Sequence, residues 1–322
     1  MHLPLTPKPC VLPRRETDFD AYAPLAFDAM GCRFEVLIDV ERSSMDRGDC
    51  VAVCEDIRDL VLDWHHRLSV FEPSSIVSLI NSADQGVALR VDDDMFALLS
   101  LCEQLRDLTD GAFNIAAGTL MKAHGFRDEA VDDLDGLDLD HAFVLDPVHR
   151  TFTKSDSRVS LDFGAIGKGF VLDLVRLELE ELGISHAFVH GGTSSVLGMG
   201  CSLDDQAWTV RIDDGLDVKL NDLSIGVSEM DGRIVESQDE RTGHLMDPAT
   251  MKPASSELSR VVCVHQSAAI ADAYSTACSV SPSLIDRLGD ESCTLVALRA
   301  DDEPTLHDPL GVCVSRVEEC DE

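Results

Sequence analysis

The chain has 322 residues, 44% of them hydrophobic, and a formal net charge of −34. So acidic a surface repels polyanions and argues against nucleic-acid binding, and no stretch approaches the roughly 20 apolar residues that span a bilayer. The eleven cysteines are odd in number and include no CxxC pair, which makes a poor disulfide framework and a poor thiolate zinc site and favours a reducing compartment.

Residues 1–25 are expected to form a flexible N-terminal arm, and residues 26–322 a single domain. The arm's "MHLPLTPKPCVLPRRE" lacks the apolar core of a signal peptide, and Cys10 lacks the apolar run of a lipoprotein signal. The sequence as it stands therefore predicts a cytoplasmic protein; a start further upstream would make it periplasmic or membrane-associated. "RFEVLIDV" (Arg33–Val40) alternates as a strand. A helix follows over 48–69, and its His65-His66 pair, without partner spacing, reads as surface. "MFALLSLCEQLRDLTDG" (Met95–Gly111) is a helix with Gly111 as its stop. "TDGAFNIAAG" is a small-residue loop in which Phe113 could stack on a ligand. The acidic stretch "EAVDDLDGLDLD" reads as a solvated loop, and "AFVLDPVHRTFTK" as a hairpin around Asp146-Pro147.

"LDFGAIGKGFVLDL" (Leu161–Leu174) sets Gly164, Gly167 and Gly169 around Lys168 where a loop enters a helix that runs to about Leu182. Glycines let backbone approach a ligand closely, and a helix N-terminus offers unpaired N–H groups to a phosphate. The spacing is neither a Walker loop nor a dinucleotide fingerprint, so an ordinary helix-opening turn stays equally open. Lysine is scarce in the chain, occurring only at Lys8, Lys122, Lys154, Lys168, Lys219 and Lys252, which draws notice to Lys168. "VHGGTSSVLGMG" is a second glycine-rich turn at the end of a strand, "HAFVH"; further short strands are expected at "WTVRID", "VVCVH", "TLVALR" and "GVCVS". "GHLMDPATMKPA" places His244 and Asp247 before Pro248, a turn by composition. Cys263, Cys278, Cys293 and Cys313 sit in apolar runs and read as small core residues. "AAIADAYSTACSV" (Ala268–Val280) reads as a buried helix that carries Asp272 and, one turn later, Thr276 on the same face. Such a pair is either a paired or metal-bound site or a solvated stripe, and this window alone does not separate the two. Strands in groups between a few helices predict an α+β fold.

The blocks "MGCRFEV", "LSVFEPSSIVSLIN", "TDGAFNIAAG", "LDFGAIGKGF", "HGGTSSVLGMG", "GHLMDPAT" and "ADAYSTA" stand in the order seen in the ApbE family of FAD:protein FMN transferases, and the chain resembles that family over roughly 28–300. The resemblance implies antiparallel sheets with packed helices, related to the T-fold. It implies FAD as donor and Mg²⁺-dependent transfer of FMN to a Thr or Ser hydroxyl of an acceptor protein, with release of AMP. By the same resemblance Asp272, Thr276 and the carbonyl of Ala165 hold magnesium. Lys168, Gly164 and Asp173 belong to the FAD cradle, together with Met30, Gly31, Phe113, Asn114, Gly191, Gly192 and Thr193. Phe71 falls where a tyrosine often faces the flavin, Asp247 lies near the diphosphate, and His244 is the candidate catalytic base.

The chain departs from the family at Thr193-Ser194-Ser195, where aspartate typically follows the two glycines, at Asn114 and Ala116, where aspartate and threonine are common, and at Met251, where glycine is frequent. Two other activities fit the same residues: a Mg²⁺-dependent FAD diphosphatase, and a non-catalytic FAD-binding protein favoured by the altered GGTSS turn. The acceptor and the oligomeric state are not legible in the sequence.

Overall fold

The computed structural model describes residues 21–127, 131, 133–203, 205–213, 216–230, 234–237, 240–289, 292–299 and 303–315. Its centre is an eight-stranded sheet ordered Tyr22–Ala29, Cys32–Asp39, Ala187–Gly191, Ser195–Met199, Leu223–Glu229, Leu258–His265, Cys293–Arg299 and Thr305–His307. Every neighbouring pair is antiparallel. The α+β expectation holds.

Both faces of this sheet are buried. On one side lie helices α1 (Arg47–Leu68), α5 (Gly167–Glu181) and α6 (Ala268–Val280); α2 (Ile76–Ser82), α3 (Asp93–Leu108) and α4 (Gly118–Ala123) extend the helical layer. On the other lies a three-stranded sheet of Trp208–Asp213, Leu216–Leu220 and Cys313–Ser315. Strand geometry alternates side chains between faces, so Val261 and Cys263 point to the helices while Val262 and Val264 join Trp208 and Val218 on the far side. Two-sided burial explains why "VVCVH" and "TLVALR" are near-continuous apolar runs.

The expected helices and strands recur with small shifts. Helix α3 stops at Leu108, and the chain leaves it through Asp110 (φ 50°) and Gly111 (φ 80°), whose N–H donates to the Arg106 carbonyl at 2.9 Å. Among the four cysteines read as core, Cys263, Cys278 and Cys293 are buried and Cys313 is half-buried. The arm boundary is corrected: Tyr22–Ala29 is the edge strand, with Tyr22 and Ala23 buried, because pairing with Cys32–Asp39 gives residues 22–25 a partner that their composition does not announce. Residues 1–20 lie outside the described residues. Two central strands were not anticipated. Ser195–Met199 hid in a glycine-rich stretch, and Leu223–Glu229 carries Ser224, Gly226 and Ser228 on its helix-facing side.

Those small residues let α6 come down onto the sheet. A Cβ on Gly226 would stand 2.3 Å from the Ala271 carbonyl carbon, and one on Gly169 of α5 would stand 2.2 Å from the Ala268 oxygen. Gly226→Ala and Gly169→Ala should each destabilise the protein by about 1–3 kcal/mol or more, as overpacking does. Gly48→Ala in the first turn of α1, which meets only the Asp46 side chain at 3.1 Å, should be neutral. Thermal unfolding of the three variants checks this.

Candidate active site

Helix α6 is alanine-rich, and its N-cap Ser267 accepts the Ile270 N–H. Its first turn is held from α5. Asp173 accepts Ser267 Oγ–H at 2.6 Å, Ala268 N–H at 2.7 Å and Ala269 N–H at 3.1 Å. Arg176 donates to the Gln266 carbonyl at 2.9 Å just upstream. The reverse contact is equally specific. Helix α5 opens at Ile166 without a side-chain cap, and Asp272 of α6 supplies the acceptor, taking Gly169 N–H at 2.7 Å. Each helix thus caps the other with an aspartate, satisfying N–H groups that a helix end leaves open.

Asp272 also accepts Ser195 Oγ–H, at 2.9 Å to Oδ1 and 3.1 Å to Oδ2. It is 6% exposed, which removes the solvated-stripe reading. Burial pushes its carboxyl up to about 6, against the pull of Lys168, Ser195 and Gly169. No salt bridge reaches it among the described residues. The result is a buried carboxylate short of a cation. Thr276, one turn on, shares its hydroxyl with Ser228 Oγ at 2.8 Å, and Ser228 also meets Ser275 Oγ at 2.9 Å. Asp272, Thr276 and Ala165, which shares the cleft wall with Thr276, could offer oxygen donors of the kind hard divalent cations take. The carboxylate keeps lone pairs beyond its present bonds.

In front of this cluster opens a cleft of about 450 Å³. It brings together, on its walls, Met30, Gly31, Phe113, Asn114, Gly164, Ala165, Lys168, Gly192, Thr193, His244 and Thr276. Met30 and Gly31 lie between two strands. They form the two-residue turn between the first two strands, with φ of 49° and 74°, the geometry such tight hairpins demand. The Met30 N–H donates to His65 Nδ1 at 3.0 Å. Asn114 faces the cleft but spends its amide on structure, accepting Ala116 N–H and donating to the Leu139 carbonyl. Lys168 is half-buried and has no hydrogen bond or ion pair to the described residues.

Five expected residues are not on these walls. Asp272 is buried, turned to Gly169 and Ser195. Asp173 is the cap of α6 and is not a ligand-facing group, because α6's open N–H groups claim both its oxygens. Asp247 closes its own turn, accepting Ala249 N–H at 2.9 Å and Thr250 Oγ1–H at 2.8 Å. Gly191 makes room for the Phe34 ring, which a Cβ would meet at 2.7 Å. Phe71 is 73% exposed and borders a neighbouring recess of about 460 Å³, with the Arg127 guanidinium 5.3 Å from its ring centre.

Sequence reasoning missed Arg127 and Asp162, an ion pair that lines both cleft and recess. Asp162 also accepts Gly164 N–H at 2.8 Å. It stood in plain view inside "LDFGAIGKGF"; Arg127 carried no signal. Ser195, Ser228 and Cys32 were also missed, and burial pushes the Cys32 thiol up.

The sequence matches the ApbE family profile over residues 30–287, and the chain belongs to that family. It is 28% identical over 274 residues to the FAD:protein FMN transferase of Treponema pallidum, covering 76% of this chain and 74% of that one. It is 28% identical over 269 residues to the enzyme of the same name from Rhodobacter capsulatus, covering 77% of this chain and 50% of that one. In three dimensions it is similar to the ApbE protein of Thermotoga maritima, with TM-score 0.78, 20% identity, and 88% and 96% of the two chains covered. The flavin transferase ApbE of Vibrio cholerae superposes with TM-score 0.74 at 19% identity, over 89% and 97% of the chains. These structures share the fold. Among the described residues no helix is long and apolar enough to cross a membrane.

The raised Asp272 carboxyl has a consequence for stability. A folded value of about 6 above an unfolded value near 3.8 means a contribution fully present below about pH 4 and lost as pH rises through 6, on the order of 3 kcal/mol in all. Asn can keep both contacts, accepting from Gly169 and donating to Ser195. In chelator, the melting temperature of Asp272→Asn relative to wild type should therefore climb between pH 4 and pH 7. A flat difference would mean the buried charge is already compensated.

Proposed function

We propose that the cleft binds FAD and transfers its FMN portion to a Ser or Thr hydroxyl of an acceptor protein, with Mg²⁺ held by Asp272, Thr276 and the Ala165 carbonyl, releasing AMP. The names of the relatives support the donor and the protein acceptor. The observation that carries the reading is Lys168 at the N-terminal turn of α5, with no ion pair to the described residues, close enough to attract a buried Asp272 that no salt bridge reaches among them. One end of that pair suits a diphosphate, the other a divalent ion.

Lys168 and the opening turn of α5 would orient the diphosphate, since helix N-termini favour anions. The acceptor oxygen attacks the FMN-side phosphorus, the bond from that phosphorus to the bridging oxygen breaks, and AMP departs with the electron pair. His244, on the cleft wall, takes the hydroxyl proton. Bound magnesium would supply charge neutralisation on the diphosphate and the leaving AMP. Phosphoryl transfers of this type rest on positioning and electrostatics more than on a strong base.

The test is AMP release against Mg²⁺ concentration, with mass spectrometry of a threonine-bearing acceptor protein for an FMN adduct. An adduct supports transfer. Free FMN with no adduct identifies a diphosphatase, and FAD retention without AMP identifies a binding protein. Asp272→Asn should shift the Mg²⁺ dependence to higher concentration or abolish activity while the protein stays folded. Thr276→Ala should do less, because water replaces a hydroxyl ligand.

His244→Ala should lower kcat by about 10²–10⁴-fold, the usual worth of a positioned proton acceptor, with little change in FAD affinity. A proportional loss of affinity would reassign His244 to binding.

A further inference from the structure

The His65-His66 pair finds in the fold the partner that its sequence spacing lacked. After α1 ends at Leu68, the chain turns through Ser69, whose hydroxyl accepts Phe71 N–H and Glu72 N–H at 3.2 Å each. That turn swings Glu72 back to the helix end, where His66 Nδ1 stands 2.9 and 3.1 Å from its two oxygens. One donor atom from each of His65, His66 and Glu72 lies within 4.8 Å of the others, and the two imidazole centres are 5.3 Å apart. Among the described residues it is the one such convergence of His, Cys, Asp or Glu groups. The rings are half-buried and exposed, free to close the remaining distance by side-chain rotation.

We propose that His65, His66 and Glu72 form a binding site for a first-row transition-metal ion such as Zn²⁺, and that filling it releases the Met30–Gly31 turn from the cleft wall. Two imidazoles and a carboxylate are the three-ligand set of open zinc sites, with a fourth position left for water. Imidazole nitrogen disfavours Mg²⁺, which keeps to oxygen, so this site and the Asp272 cluster sort different ions. The coupling follows from tautomers. His65 Nδ1 now accepts the Met30 N–H. An ion on Nδ1 takes the lone pair that Met30 uses. An ion on Nε2 requires the ring proton to sit on Nδ1, which turns that atom from acceptor to donor. Either mode breaks the bond holding the turn. Glu72 ligation would also tether the loop that carries Phe71. The effect on FAD rests on the cleft being the FAD site; the metal site itself does not.

The experiment titrates Zn²⁺, and Co²⁺ as a spectroscopic probe, into the full chain in excess Mg²⁺, alone and with FAD. One equivalent should bind wild type, with visible Co²⁺ bands of low coordination. His66→Ala and Glu72→Ala should weaken binding at least about tenfold, since even outer partners of metal sites cost that much, and should leave Mg²⁺-dependent AMP release without zinc unchanged. Zn²⁺ should lower FAD affinity about three- to tenfold in wild type, the worth of one hydrogen bond, and FAD should lower Zn²⁺ affinity by the same factor. Equal zinc binding in wild type and both variants, or none in any, overturns the site. Zinc binding that needs His66 and Glu72 while FAD affinity stays constant overturns the coupling. Zinc binding with no FAD binding at all counts against the cleft reading, and against the coupling with it, while the metal site stands.

Discussion

Two aspartates exchanged between two helices hold the cleft together. Asp173 on α5 caps α6, and Asp272 on α6 caps α5. Each removes an N–H deficit that the partner helix cannot meet itself, so neither helix has a satisfied start without the other. The exchange needs the helices in near backbone contact, and Gly169 permits that on one side as Gly226 does against the sheet. The consequence for chemistry is positional. Lys168 rides on the turn that Asp272 caps, and Thr276 rides on the helix that Asp173 caps. The two sides of the cleft are indexed to each other through hydrogen bonds from backbone N–H groups to these two carboxylates.

That arrangement leaves an electrostatic debt at one point. A carboxylate used as a helix cap is stabilised by N–H dipoles, but burial of Asp272 outweighs them and raises its carboxyl. Lys168 contributes attraction without a direct ion pair. A divalent ion at the oxygen cluster would resolve the imbalance and at the same time prepare the site for an anionic substrate, so one structural device can serve both folding and binding. The chain's overall charge of −34 makes this local reversal necessary. Anions approach the protein against a repulsive field, which Lys168 on the cleft wall locally opposes.

The legible part of the fold was the part written in local pattern. The Gly111 stop, the hairpin at Asp146-Pro147 and the strands with continuous apolar runs all follow from short-range chemistry. Ser195–Met199 and Leu223–Glu229 escaped because their small polar residues answer to α5 and α6, distant in sequence, and not to strand propensity. The site divided the same way. Residues on glycine-rich turns, such as Lys168, Gly192 and Thr193, lie on the cleft walls where the chain bends at strand and helix ends. Asp173 and Asp247 were placed by motif alone, and the structure gives the first to a helix cap and the second to its own turn, because a carboxylate in a motif can serve the backbone as readily as a ligand. Ser195 and Arg127 act through tertiary partners, Asp272 and Asp162, that no spacing rule reaches.

The departures from the family pattern gain a common direction in this setting. Thr193 and Asn114 both line the cleft, and at both places the resemblance leads one to expect aspartate. Each exchange removes a negative charge from the cleft wall. Like charges within a few ångströms repel by about 1 kcal/mol or more even with water's screening, and the deficit deepens as a ligand excludes solvent. In a chain this acidic, two further carboxylates would add to the negative charge of the cleft. Thr193 keeps a hydroxyl on the wall, and Asn114 still brackets its loop through Ala116 and Leu139. The polar contacts of the wall therefore survive while the repulsion is shed. The GGTSS turn, which read at first as grounds for a protein that only binds flavin, becomes a charge adjustment compatible with turnover.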